Sequence, residues 1–124
     1  MPAINFQKHW APKILSGEKS HTIRARRKRP FRVGDRLYLK TGQRTQYCRS
    51  LGETICTQVD HIRIYADSQE VIINGKLLCQ DEIEILAKND GFESVDEFYE
   101  YFGPRYNYDF EGQLIWWNPK NISP

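Results

Sequence analysis

Apolar residues in this chain fall in short runs divided by glycine, proline and asparagine, a pattern that predicts more strands than helices. Ile4-Asn5-Phe6 opens as a strand. A short helix follows, in which Pro12 suits the first turn, Gly17 suits the position just past the end, and Ile14 and Leu15 point toward a core. Ser20-His21-Thr22-Ile23-Arg24 alternates, so Ser20, Thr22 and Arg24 share one face of a strand while His21 and Ile23 share the other. Arg32-Val33-Gly34-Asp35 reads as a turn into the apolar strand Leu37-Tyr38-Leu39, and a further strand is expected within Ile55 to Ile64. Val71-Ile72-Ile73 and Lys76-Leu77-Leu78 flank Asn74-Gly75, which accepts the positive φ angles of a type I′ turn, so this segment predicts a hairpin.

Two more helices are expected, each opened by a capping box: Asp81 with Glu84, then Ser94 with Glu97. Phe98 and Phe102 lie one turn apart on the second and should pack inward, leaving Tyr99 or Tyr101 nearer solvent. Gly103-Pro104 stops that helix, a left-handed residue followed by one that cannot continue it. Leu114-Ile115-Trp116-Trp117 supplies a last strand. Most strand connections are too short for parallel crossovers, and no linker divides the 124 residues. The expectation is one α+β domain over residues 1–124, a mainly antiparallel β-barrel with helices packed at its side.

Composition changes this picture in three ways. No apolar run approaches the roughly 20 residues that span a bilayer, and Met1-Pro2-Ala3-Ile4-Asn5-Phe6 lacks the order of a signal peptide, so no membrane association is expected. Cys48, Cys56 and Cys79 are an odd number at no zinc spacing, which fits reduced thiols in a cytoplasm, with a Cys48–Cys56 bridge across a hairpin as the alternative. The formal net charge of +2 conceals a segregation. Ten arginines and lysines between Arg24 and Arg49 oppose only Asp35, while eight acids between Asp81 and Glu100 oppose only Lys88. Within the basic stretch, Arg26-Arg27-Lys28-Arg29 forms a run suited to the phosphates of a single-stranded RNA, because Lys and Arg displace condensed counterions there. A solvated loop balancing the acidic segment is the plainer reading of the same residues.

The segment with the most chemistry is Gly17-Glu18-Lys19-Ser20-His21-Thr22-Ile23-Arg24, preceded by Lys13-Ile14-Leu15-Ser16. It resembles the G-x-K-x-x-T-x-R signature of the ASCH family. Arg32-Val33-Gly34-Asp35-Arg36-Leu37 resembles the family's next element, Ala87-Lys88-Asn89-Asp90-Gly91-Phe92-Glu93-Ser94-Val95-Asp96-Glu97-Phe98 its helical segment, and Leu114 to Trp116 its closing strand. The resemblance implies a PUA-like barrel associated with RNA and modified nucleosides. Some bacterial proteins of this kind are amidohydrolases that remove the acetyl group from N4-acetylcytidine with a Lys, a Thr and a carboxylate. Carried over by position, these are Lys19, Thr22 and either Asp90 or Glu93, with Asp90 standing where the family pattern has a longer Glu.

The same residues can be read without the family. A threonine hydroxyl attacks an amide carbonyl only if a neighbour takes its proton, and a lysine can do so when desolvation or nearby positive charge, such as that of Arg24, favours its neutral form. A carboxyl at Asp90 or Glu93 would protonate the leaving amine, and Arg24 or a backbone N–H would hold the oxyanion, without metal or cofactor. Strict alternation puts Lys19 and Thr22 on opposite faces, so Lys19 has to lie in the turn before the strand. His21 shares its face with Ile23 and reads as packing, and His9 and His61 have no companions at ligand spacing, so no metal site is expected. In the loop after Gly103-Pro104, Tyr106 would stack on a base and Asn107 read its edge, unless these aromatics only pin their own loop. Three functions stand open from sequence: a nucleoside amidohydrolase, a non-catalytic RNA-binding module, and a single-stranded RNA ribonuclease.

Overall fold

A computed structural model describes residues 3–42 and 45–124. Arg44, one of the ten basic residues counted above, lies outside them, as do Met1 and Pro2. The elements run β1 (Ala3–Phe6), α1 (Ala11–Ser16), β2 (His21–Ala25), β3 (Arg36–Thr41), β4 (Arg49–Tyr65), β5 (Glu70–Ile73), β6 (Lys76–Leu77), α2 (Gln80–Asn89), α3 (Val95–Phe102) and β7 (Phe110–Trp117). The class is α+β, as expected. Strand pairing follows the path β1-β3-β4-β5-β6, with β7 joined to both β2 and β4. The β3–β4, β4–β5 and β5–β6 pairs are antiparallel, whereas β1 pairs β3 in parallel, with Ile4 opposite Leu39. Among the described residues no helix is long and apolar enough to cross a membrane.

The chain divides into two compact units, residues 1–21, 31–59 and 115–124 in one, and 22–30 and 60–114 in the other. The first is organised around Ile4, Phe6, Ile14, Leu37, Leu39 and Trp117, with Trp10, Val59 and Ile122 packed against them. Pro12 sits in the first turn of α1, and Gly17 ends it at φ 87°, the left-handed conformation its sequence position calls for. Ala11 and Ile14 turn inward. Leu15, also expected in the core, is 51 % exposed, because a six-residue helix buries one face and the next residue lies about 100° around it. Strand β4 is 17 residues long, well beyond the expected segment, and continues through a register shift that leaves Leu51 unpaired between Ser50, opposite Lys40, and Gly52, opposite Leu39. Cys48 is exposed and Cys56 buried, both as free thiols, so the alternative of a bridge between them is not realised.

In the second unit the Asn74-Gly75 hairpin forms as expected, with φ of 51° and 81° at its two turn residues and Leu78 N–H continuing to Val71. Helix α2 starts earlier than its sequence suggests. Cys79 arrives extended from β6 and takes the N-cap, its backbone N–H donating to Glu82 Oε1 at 3.0 Å, so the box is Cys79 with Glu82 rather than Asp81 with Glu84. Asp81 falls inside the first turn and Glu84 accepts from Gln80. Of the second box one half forms: Ser94 Oγ accepts from Glu97 N–H at 3.1 Å, while the Glu97 carboxylate accepts from Glu93 N–H at 3.4 Å rather than from Ser94. Phe98 and Phe102 are buried, 5.1 Å apart between ring centroids, and pack with Phe92 and Phe110. Tyr99 is buried and Tyr101 half-buried, so Tyr101 is the one nearer solvent. Gly103 does end α3, but at φ −79°, not in the left-handed region. Its requirement is space, since a Cβ there would lie 2.9 Å from the Tyr99 carbonyl oxygen and 3.0 Å from the Tyr108 ring.

Candidate functional site

Strand β2 carries the motif, and its first residues face protein on both sides. Lys19 lies ahead of the strand, in the irregular stretch after Gly17, where its N–H donates to Lys13 O at 3.0 Å. It is 3 % exposed, an unusual place for a lysine, with its ammonium 5.4 Å from the centre of the Trp10 ring. The Lys13 ammonium lies 5.8 Å from the same indole. His21 is buried too, its ring tilted against Trp116 at 4.6 Å, which agrees with a packing role.

Thr22 and Arg24 belong to the second unit and share a face, as alternation requires. Arg24 Nε donates to Thr22 Oγ1 at 3.1 Å, and Thr22 is 4 % exposed. The guanidinium thus occupies one lone pair of the hydroxyl and leaves its proton to be given elsewhere. A positive charge in that position also stabilises negative charge as it develops on the oxygen. Burial lowers the pKa of Arg24, and Tyr101, Asp90 and Tyr106 oppose that effect. Asp90 caps the end of α2, buried, with its N–H donating to Leu86 O at 2.9 Å. Asp90 is therefore the carboxylate whose charge reaches Arg24. Glu93 is exposed and borders a different feature, a cavity of about 490 Å³ in this unit, shared with Gln80, Glu84, Lys88 and Asp96.

Tyr106 forms part of a short 3₁₀ turn, Pro104–Tyr106, and is half-buried. Its ring stacks on Phe102 at 6.3 Å and meets Phe110 edge-on at 4.6 Å. Burial raises the pKa of its phenol, as does the neighbouring Tyr101, while Arg105 and Arg24 pull it down. Asn107 is exposed in a left-handed conformation, which turns the chain toward β7. Strand β7 then passes β2 so closely that a methyl at Gly112 would run into the Arg24 carbonyl oxygen.

The run Arg26, Arg27, Lys28 and Arg29 is an exposed loop after β2. Its first residue is tied down: Arg26 N–H donates to Glu111 O at 3.1 Å and its guanidinium lies 3.6 Å from the Glu111 carboxylate. Two groupings had gone unread in the sequence. Glu111 also bonds His61 Nε2 at 2.7 Å, which holds its carboxyl below the usual range, and Arg63 pairs with Asp109 at 2.9 Å. Strand partners 50 residues apart leave no local signal in the sequence. By contrast, Arg105 lies over the Tyr101 ring at 4.4 Å and donates to Tyr101 O at 3.4 Å. Their spacing of four residues is one that a helix end makes legible. Among the described residues no group of three or more His, Cys, Asp or Glu gathers as a metal site would require.

Comparison with protein families, with curated proteins and with solved structures returned no match.

Proposed function

We propose that the chain is an ASCH-type, PUA-like domain of the cytoplasm that binds a cytidine-type modified nucleoside or single-stranded RNA and hydrolyses the amide of an N4-acylated cytidine. The observation that carries this reading is the buried Thr22 hydroxyl accepting a hydrogen bond from the Arg24 guanidinium at 3.1 Å. Thr22 Oγ attacks the acetyl carbonyl carbon and its proton passes to a base. Lys19, three residues earlier in the chain and withdrawn from water, is the amine assigned to that role. Arg24 stabilises the oxyanion, Asp90 passes the proton given up by Thr22 to the exocyclic nitrogen as the C–N bond breaks, and water releases acetate from the threonine ester. Asp90 is preferred to Glu93 because it is buried and its charge reaches Arg24.

Purified protein should release acetate from N4-acetylcytidine. Lys19→Ala and Thr22→Ala should each reduce the rate by at least about a hundredfold, and the double substitution should cost little more, because members of one catalytic unit do not act additively. His21→Ala should keep substantial activity if folded. Folded wild-type protein that releases no acetate sinks the hydrolase reading.

A second reading, an RNA-binding module without chemistry, is favoured by the exposed Arg26–Arg29 loop, since a free nucleoside offers no phosphate to such a run. Retained binding of single-stranded RNA by protein that releases no acetate would select it.

A further inference from the structure

Trp10 ends the 3₁₀ turn Lys8–Trp10 and leads directly into α1, and Gly17 turns the chain back after that helix, so that Lys19 N–H donates to Lys13 O at 3.0 Å. Trp10 and Lys19 thus flank α1 within one compact unit. The Lys19 ammonium lies 5.4 Å from the centre of the Trp10 ring and that of Lys13 5.8 Å. The two cations differ in their access to water, Lys13 being half-buried and Lys19 buried. The indole is itself held, packed against the core around Ile4, Phe6 and Ile14, with the exposed His9 ring tilted 4.3 Å from it. An ammonium withdrawn from water loses its hydration, and the electron-rich face of an indole returns part of that loss.

We propose that Trp10 is a positioning residue for Lys19, its indole holding the amine of that side chain in place for proton transfer. The inference rests on the hydrolase reading above and deepens it. In that reaction Lys19 takes up the proton leaving Thr22 Oγ, so a positive charge forms on its nitrogen as the threonine oxygen bonds to carbon. The ring quadrupole attracts an ammonium far more than a neutral amine. Trp10 therefore favours the protonated form that this step produces, and it keeps a flexible four-carbon stem from carrying the amine away. The plainer role is that the indole only covers Lys19 from water. Cover depends on the shape of the ring and attraction on its electrons, which separates the two.

The experiment places tryptophans of increasing fluorine content at position 10 of the full chain, since fluorine weakens the quadrupole and nearly preserves the shape. The Cε resonances of Lys13 and Lys19, assigned by their loss in Lys13→Arg and Lys19→Arg, are followed through a pH titration by NMR. The Lys19 midpoint should fall in step with fluorine content, by about half a pH unit at the most fluorinated ring. Lys13, nearer water, should move less. In parallel, Trp10→Leu should lower kcat for acetate release from N4-acetylcytidine at least about tenfold and leave KM within about twofold, with Trp10→Phe restoring part of the rate. Should Trp10→Leu fail to fold, the fluorinated series decides alone. A Lys19 midpoint unmoved across the series overturns the inference and leaves the hydrolase reading standing, as does folded Trp10→Leu with wild-type kcat. Wild-type protein that releases no acetate overturns both, whatever the titration, because there is then no base to position.

Discussion

At the scale of the residue, the site turns on where water is absent. Thr22 and Arg24 were legible because a strand has a period of two, so sharing a face followed from spacing alone. The burial of Lys19 was not, since nothing in a lysine beside a turn announces an indole waiting for it. Thiol chemistry offers a direct check on the same distinction. Burial pushes the Cys56 thiol up, whereas Cys48 and Cys79 are exposed. Iodoacetamide on native protein should therefore label two thiols, detected by mass, and the third only after denaturation. Glu82 gives a second check, through pH. Its carboxyl is held below the ordinary glutamate range by the Cys79 N–H. Because the folded value is the lower one, this stabilisation is present above the unfolded value of about 4.3 and is lost as pH falls through the folded value. Wild-type protein should lose more in Tm between about pH 5 and pH 3 than Glu82→Gln does.

At the scale of the element, local signals read well wherever one residue decides the geometry. Asn74-Gly75 fixed the hairpin because few residues accept φ of 51° and 81° in succession. Gly75→Ala meets no atom within 4 Å, so its cost is conformational only, about 1 kcal/mol, measurable by urea unfolding. Phe98→Ala, in the middle of the aromatic packing of α3, should cost about 3–5 kcal/mol in the same assay. Boundaries were harder wherever two choices compete. Asp81 with Glu84 satisfies the capping pattern at the start of α2, but the backbone leaving β6 puts Cys79 at the cap, where its N–H donates to Glu82. Strand β4 outran its apolar segment because pairing with β3 and β5 supports polar residues that propensity alone would leave in a loop.

At the scale of the whole molecule, charge is sorted along the chain more sharply than its sum implies. The basic run stands exposed after β2, and the acidic residues cluster on α2 and α3. If the run holds single-stranded RNA, replacing Arg26, Arg27, Lys28 and Arg29 with Ala should flatten the dependence of log affinity on log salt by about 0.7 for each phosphate contact removed. An unchanged slope would return the loop to solvent. The least conspicuous position sets another limit. Gly112 bears no side chain, touches no proposed ligand and has no part in proton transfer, yet any larger residue there must displace the strand that carries Arg24. In a saturating mutational screen it should behave as an essential residue, every substitution scoring as loss of function. Such a screen would then mark a silent atom of scaffold beside the backbone of Arg24.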